Sequence, residues 1–152
     1  MSTLASTSRL VPRLPATAVA VVATVAAFLL GRVLWPDPPG SMTPPGSLLP
    51  AFLLLSAIES VAFGLGIAFL VFGPTLLRRL GGGSRLTWAA YGAIAFMLLS
   101  WWPHDNMHRV LSHHDFGGLA RIEYLFHLPL MVAAAITATF FLRTLGGRDA
   151  DA

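Results

Sequence analysis

Residues 48–76, LLPAFLLLSAIESVAFGLGIAFLVFGPTL, form the segment that decides the fold, and Glu59 is its single charged side chain. A helix that crosses the ~30 Å hydrocarbon core of a bilayer needs about 20 mainly apolar residues. The segment exceeds that length and carries almost no charge. It is therefore interpreted as a membrane span.

The rest of the chain has the same apolar character. Of its 152 residues, 55% are hydrophobic and 11% are charged, and the mean hydropathy is +0.70, which is too apolar for an ordinary soluble domain. Further apolar runs cover residues 15–34, 86–102 and 119–142. The expected fold is all-α: an integral membrane four-helix bundle that forms a single domain over residues 1–152, with a short polar tail at 143–152.

Proline and glycine mark the connections between these runs. Proline-rich residues 35–47 predict an extended linker after the first span, and Gly81, Gly82 and Gly83 predict a flexible turn after the second. Pro103 follows the third run and tolerates the first turn of a helix. Between the third and fourth spans we therefore expect a short extra helix or a kinked segment.

The ten basic residues are all arginine, and their distribution predicts the orientation. With a cytoplasmic N-terminus, three lie outside (Arg32, Arg109 and Arg121) and seven lie inside (Arg9, Arg13, Arg78, Arg79, Arg85, Arg143 and Arg148). Since cytoplasmic loops carry the excess of basic residues, we expect a multi-pass protein of the cell membrane with both termini cytoplasmic and residues 103–118 outside.

The first run could serve as a signal peptide, because arginines precede an apolar core. The sequence that follows, GRVLWPDPPG at 31–40, contains no clear small-x-small cleavage site. The run is also longer than a typical signal core. We therefore expect the first helix to be retained.

Several classes of function are excluded or disfavoured by composition. The absence of cysteine excludes disulfides, thiolate metal sites and cysteine catalysis. The net charge of +3 is explained by arginine at the membrane edges, so no nucleic-acid partner is expected. No nucleophile-and-base arrangement or phosphate-binding loop is present, which leaves open whether the protein is an enzyme. The bilayer is the expected partner, with a lipid or quinone as a candidate ligand.

Four of the five histidines fall within residues 101–114, WWPHDNMHRVLSHH. His104 and His108 are four residues apart, as are Glu123 and His127 on the fourth span, so each pair shares one helix face. The third and fourth spans are expected to be antiparallel neighbours, which brings both pairs to the same membrane face. The pattern predicts a site for a divalent metal (Zn, Fe or Mn) with four ligands, His104, His108, Glu123 and His127.

Other polar residues near this cluster are given supporting roles. Asp105 is expected either to bind the metal or to orient a histidine, whereas His113 and His114 are expected to lie in a solvated loop. Glu59 lies roughly 16 Å below the outer start of its helix, a costly depth for a charge. It is expected to be protonated, paired or metal-bound, and to act as a relay or to approach the metal site from below.

Three functions from different classes remain open on the sequence alone. The first is a small membrane metalloprotein, with the ligands above, that acts on a lipid or quinone. The second is a membrane cytochrome with His127 as a haem ligand, although His104 and His108 are expected to be shallower. The third is a non-catalytic accessory subunit or a proton or ion path that uses Glu59, Glu123 and His127. The metal site is the leading hypothesis.

Overall fold

The computed structural model describes residues 13–41, 44–111 and 116–146. Arg9, the His113–His114 loop and the tail beyond residue 146 lie outside this part of the chain, so the expectations for them stay predictions. The described residues form five helices and no strand, which confirms the expected all-α fold: α1 Arg13–Leu34, α2 Leu49–Gly81, α3 Arg85–Leu99, α4 Trp101–Leu111 and α5 Phe116–Gly146.

Three helices within the described ranges are long and apolar enough to cross a membrane: Pro15–Leu34, Leu49–Gly81 and Phe116–Gly146. They correspond to the first, second and fourth expected spans. The third, expected over 86–102, is interrupted, since α3 ends at Leu99 after 15 residues and α4 begins at Trp101. A bundle of four spans therefore stays a prediction, whereas α4 is the short extra helix expected between the last two spans.

The interruption between α3 and α4 lies close to Pro103. Proline has no backbone N–H, so the carbonyl of Leu99 lacks its usual donor four residues ahead. Helical hydrogen bonds are present on both sides of this gap. The Ser100 N–H donates to Phe96 O at 2.9 Å, and the His104 N–H donates to Ser100 O at 3.0 Å. α4 thus starts directly from the end of α3.

The turn between α2 and α3 is held by hydrogen bonds from both helices. Gly82 adopts φ +65°, and its N–H donates to Arg78 O at 3.0 Å. Ser84 caps α3 by accepting a bond of 3.2 Å from the Thr87 N–H, and the Thr87 hydroxyl donates to Gly81 O at 2.9 Å. These bonds stabilise the turn after which α3 packs against α2.

The helices pack mainly in chain order, with α1 on α2, α2 on α3 and α3 on α5, while α4 contacts both α2 and α5. Leu77, Ala90 and Phe140 form the buried cluster where α2, α3 and α5 meet. Large apolar side chains remain exposed on the outside, for example Val22 at 69% and Leu142 at 75%. An apolar outer surface of this kind suits helices that face lipid.

The backbones of α1 and α2 lie close together at Gly64. A Cβ atom at this position would overlap Thr24 Oγ1 and the carbonyl oxygen of Ala20. In lipid, helices associate largely through van der Waals packing, and a glycine lets two backbones come into contact. Gly64 is therefore required for the α1–α2 interface.

Candidate metal centre

Two histidines of α4 lie together on the face that points to α5. The Nε2 atoms of His104 and His108 are 3.0 Å apart, and their ring centroids are separated by 4.4 Å. The helical spacing of four residues produces this contact. α4 thus presents two imidazole nitrogens to one point.

Glu123 of α5 joins this pair to the histidine on its own helix. Its Oε1 lies 3.2 Å from His108 Nε2, and its Oε2 lies 2.5 Å from His127 Nδ1. The rings of His104 and His127 are also in contact, with centroids 5.1 Å apart. The two pairs expected from the sequence therefore meet, and one carboxylate connects them.

Three of the four expected ligands have the spacing of a metal site. One donor atom each from His104, His108 and Glu123 lies within 4.8 Å of the others. Ligands bound to Zn²⁺ at ~2.0–2.2 Å in a tetrahedron stand about 3.3–3.6 Å apart, slightly more than the 3.0 Å and 3.2 Å separations around His108. The three residues therefore form a group that could hold one ion.

His127 has a different position from the other expected ligands. It lies outside the three-atom group and contacts the second oxygen of Glu123. Its side chain is 48% exposed, whereas that of His108 is 25% exposed. In this arrangement His127 orients the carboxylate that would bind the ion, as partners of metal ligands commonly do.

The environment of His104 favours the protonation state that binds metals. Burial lowers its pKa, and the nearby His108 and His127 rings lower it further, against the opposing effects of Glu123 and Asp105. His104 belongs to α4, which is not among the three candidate spans. A neutral imidazole is the form that binds metals, so the environment keeps His104 ready to act as a ligand.

Glu59 and Asp105 form a second polar site on a different face of α4. Glu59 is 5% exposed and Ser60 is 1% exposed, and the Asp105 carboxyl lies within hydrogen-bonding range of Glu59. Both acids line a cavity of about 200 Å³ between α1, α2 and α4. Glu59 is not part of the three-atom metal group, and among the described residues no hydrogen bond joins Asp105 to a histidine.

Arg109 clamps the proline-rich linker to α4, a contact that sequence reasoning missed. Its guanidinium donates to Asp37, to Trp35 O at 2.6 Å and to Asn106 Oδ1 at 3.0 Å. Arg32 donates to the other oxygen of Asp37. The sequence did contain a signal for this contact, because Asp37 is the one acidic residue in the linker at 35–47. Arg32 and Arg109 also line the cavity that contains Glu59.

Replacing Arg109 by glutamine is expected to destabilise the fold by about 1–2 kcal/mol, because bonds to a charged donor are lost from a partly exposed site. Thermal unfolding in detergent measures the change. Arg121→Gln is the matched control, since Arg121 is exposed on α5. Equal unfolding temperatures for the two variants would show that the clamp is not stabilising.

Comparisons with protein-family models, with curated proteins and with solved structures found no match to this chain. The function is therefore argued from the site alone.

Proposed function

We propose that this small membrane protein binds one divalent metal ion, Zn, Fe or Mn, through His104, His108 and Glu123. The observation that carries the proposal is the convergence of the three donor atoms within 4.8 Å. Two imidazoles and one carboxylate suit these metals and leave coordination positions open for water or a ligand. His127 holds the carboxylate in place.

Elemental analysis of the protein, purified in detergent without a histidine tag, tests the proposal. The expected result is about one bound ion per chain that is removed by a strong chelator and restored when the same metal is supplied. Failure to retain Zn, Fe or Mn, each offered in turn to the chelated protein, would refute the site.

The membrane arrangement that we propose has four spans, with the third formed by residues 86–102 despite the break after Leu99. It is supported by the separation of polar groups. Asp37, Arg109 and the proposed metal site lie toward one end of the helices, while Arg78, Arg79, Arg85 and Arg143 lie toward the other. The arginine-rich end is the cytoplasmic one by the positive-inside rule, so the metal site faces outward.

Cysteine labelling in intact cells tests this orientation, and the cysteine-free chain needs no prior substitution. A single cysteine at Ser112, in the segment expected outside, should react with an impermeant maleimide. A cysteine at Ser84, in the turn between α2 and α3, should not react until the cells are opened. The reverse pattern would invert the proposed topology.

A proton or ion path is the second candidate function, and the cavity beside Glu59 favours it. A buried carboxyl within a candidate span, here Glu59, is a typical feature of such paths, and the cavity that it lines also contains Asp105 of α4. Proteoliposomes report transport through an internal pH or ion indicator. Flux that is lost in Glu59→Gln but kept in His108→Ala would favour this function over metal binding, and absence of flux in the unchanged protein would reject it.

The structure gives the haem hypothesis less support. The cavity beside His104 and His127 measures about 40 Å³, which is far smaller than a porphyrin. A visible absorption band in the purified protein would restore this hypothesis.

A further inference from the structure

The cavity between α1, α2 and α4 contains two acids in contact. It measures about 200 Å³, and Glu59 and Asp105 both line it. Glu59 is buried, and the Asp105 carboxyl lies within hydrogen-bonding range of it. An ionised carboxylate only accepts hydrogen bonds. The two acids therefore need a proton or a bound cation between them.

Two other polar side chains of the lining bond to backbone groups instead of to the acids. The Ser60 hydroxyl donates to Ser56 O at 2.7 Å. The Asn106 amide donates to Trp102 O, also at 2.7 Å. Both bonds stay within one helix, so these neighbours leave the buried Glu59 carboxyl without their donors.

The two arginines of the lining direct their charge at the linker. Arg32 and Arg109 both donate to Asp37. Within the described ranges, neither guanidinium forms an ion pair with Glu59 or Asp105. The Arg32 side chain is also exposed, so water screens its charge. The negative charge of the two acids is therefore left for a ligand to balance.

The size and the walls of the cavity favour an organic cation over a metal ion. A water molecule takes up about 30 Å³ in the liquid, so a cavity of about 200 Å³ has room for about six groups of that size. A bare ion would fill a small part of it. Phe28, Leu53 and Trp102 supply apolar walls. The Trp102 ring is held by the rings of Trp35 and Phe63, whose centroids lie 6.4 Å and 5.0 Å away.

We propose that the cavity beside Glu59 and Asp105 binds a small organic cation that carries a primary ammonium group on a short hydrocarbon chain. The ammonium supplies three N–H donors, which the acid pair lacks. Two carboxyls that share one proton carry one negative charge, so one ammonium balances them. The chain contacts the apolar walls at Phe28 and Trp102. This site lies on a different face of α4 from the metal centre and does not depend on it.

Equilibrium dialysis of the detergent-solubilised protein against radiolabelled n-butylamine tests the proposal. At pH 7 this amine is protonated, as a lysine side chain is. Saturable binding of about one amine per chain is expected, whereas labelled 1-butanol, which has no charge, should show none. Lack of saturable amine binding would mean that the acids share a proton only, and displacement by an equal concentration of sodium would assign the site to an inorganic ion. Either result overturns the proposal.

Glu59→Gln is the test variant, because it removes the charge and nearly keeps the shape. Its affinity for butylamine should fall about 10–100-fold, as expected for lost hydrogen bonds to a charged group, while its metal content stays unchanged. Asp105→Asn provides a second variant if Glu59→Gln does not fold. Glu123→Gln is the matched control, since it makes the same change to an acid outside the cavity. Equal amine affinities for Glu59→Gln and the unchanged protein would contradict the site.

The amine site and the metal centre can fail separately in these experiments. Amine binding that depends on Glu59, in a protein that retains no metal, would keep the cavity site and reject the metal centre. Bound metal without saturable amine binding would keep the metal centre and reject the cavity site.

Discussion

Replacing His108 by alanine is expected to abolish stoichiometric metal binding while the helices stay folded. The His108 Nε2 lies 3.0 Å from that of His104 and 3.2 Å from Glu123 Oε1, so it is the donor between the other two. Its loss leaves one imidazole and one carboxylate, too few ligands for a stable site. Elemental analysis measures the metal, and circular dichroism checks the helices.

The His127→Ala variant tests whether His127 binds the metal directly or only orients the Glu123 carboxylate. Because His127 contacts the carboxylate instead of completing the three-atom group, its loss should weaken metal affinity by about 10–100-fold without abolishing it. His114→Ala, outside the described residues and expected in the solvated loop, should leave the affinity unchanged. Full metal content in His108→Ala would contradict the site, as would complete loss in His114→Ala.

Gly64→Leu is expected to disrupt the α1–α2 interface, with a loss of stability at or above about 3 kcal/mol, the upper part of the range for overpacked sites. The obstruction includes the carbonyl oxygen of Ala20, and backbone cannot move aside as a flexible side chain can. Thermal unfolding in detergent should show the loss, together with aggregation at lower temperature.

Gly92→Leu is the matched control for Gly64→Leu, since both place the same side chain on a glycine within a helix. Space is open around Gly92, so no clash is expected there. Similar unfolding temperatures for the two variants would show that the close approach at Gly64 does not hold α1 to α2.

Contacts within one helix could be predicted from the sequence, because the α-helix fixes which residues share a face. The pairs His104 with His108 and Glu123 with His127 follow directly from their spacing of four residues. The same holds for the long apolar helices, whose length and composition leave few alternatives. Pro103 indicated a short extra helix or a kink after the third run, but the structure places the break earlier, after Leu99.

Contacts between helices could not be predicted in the same way, because they depend on how each helix is rotated about its axis. The sequence left Glu59 free to approach the histidines from below. In the structure it lies beside Asp105, which is rotated about 100° from His104 around α4. A change of one residue along a helix thus decides which site a side chain joins.

α4 carries two ligands of the proposed metal site, His104 and His108, toward α5, and it carries the Asp105 and Arg109 side chains toward α1 and α2. If this helix moves as one rigid body, occupancy on one side changes the free energy of occupancy on the other. Suppose that a molecule bound in the Glu59 cavity changes the affinity for the metal by some factor. Thermodynamic reciprocity then requires the metal to change the affinity for that molecule by the same factor. Titrating either ligand in the presence and absence of the other would therefore reveal the movement of α4 without a second structure.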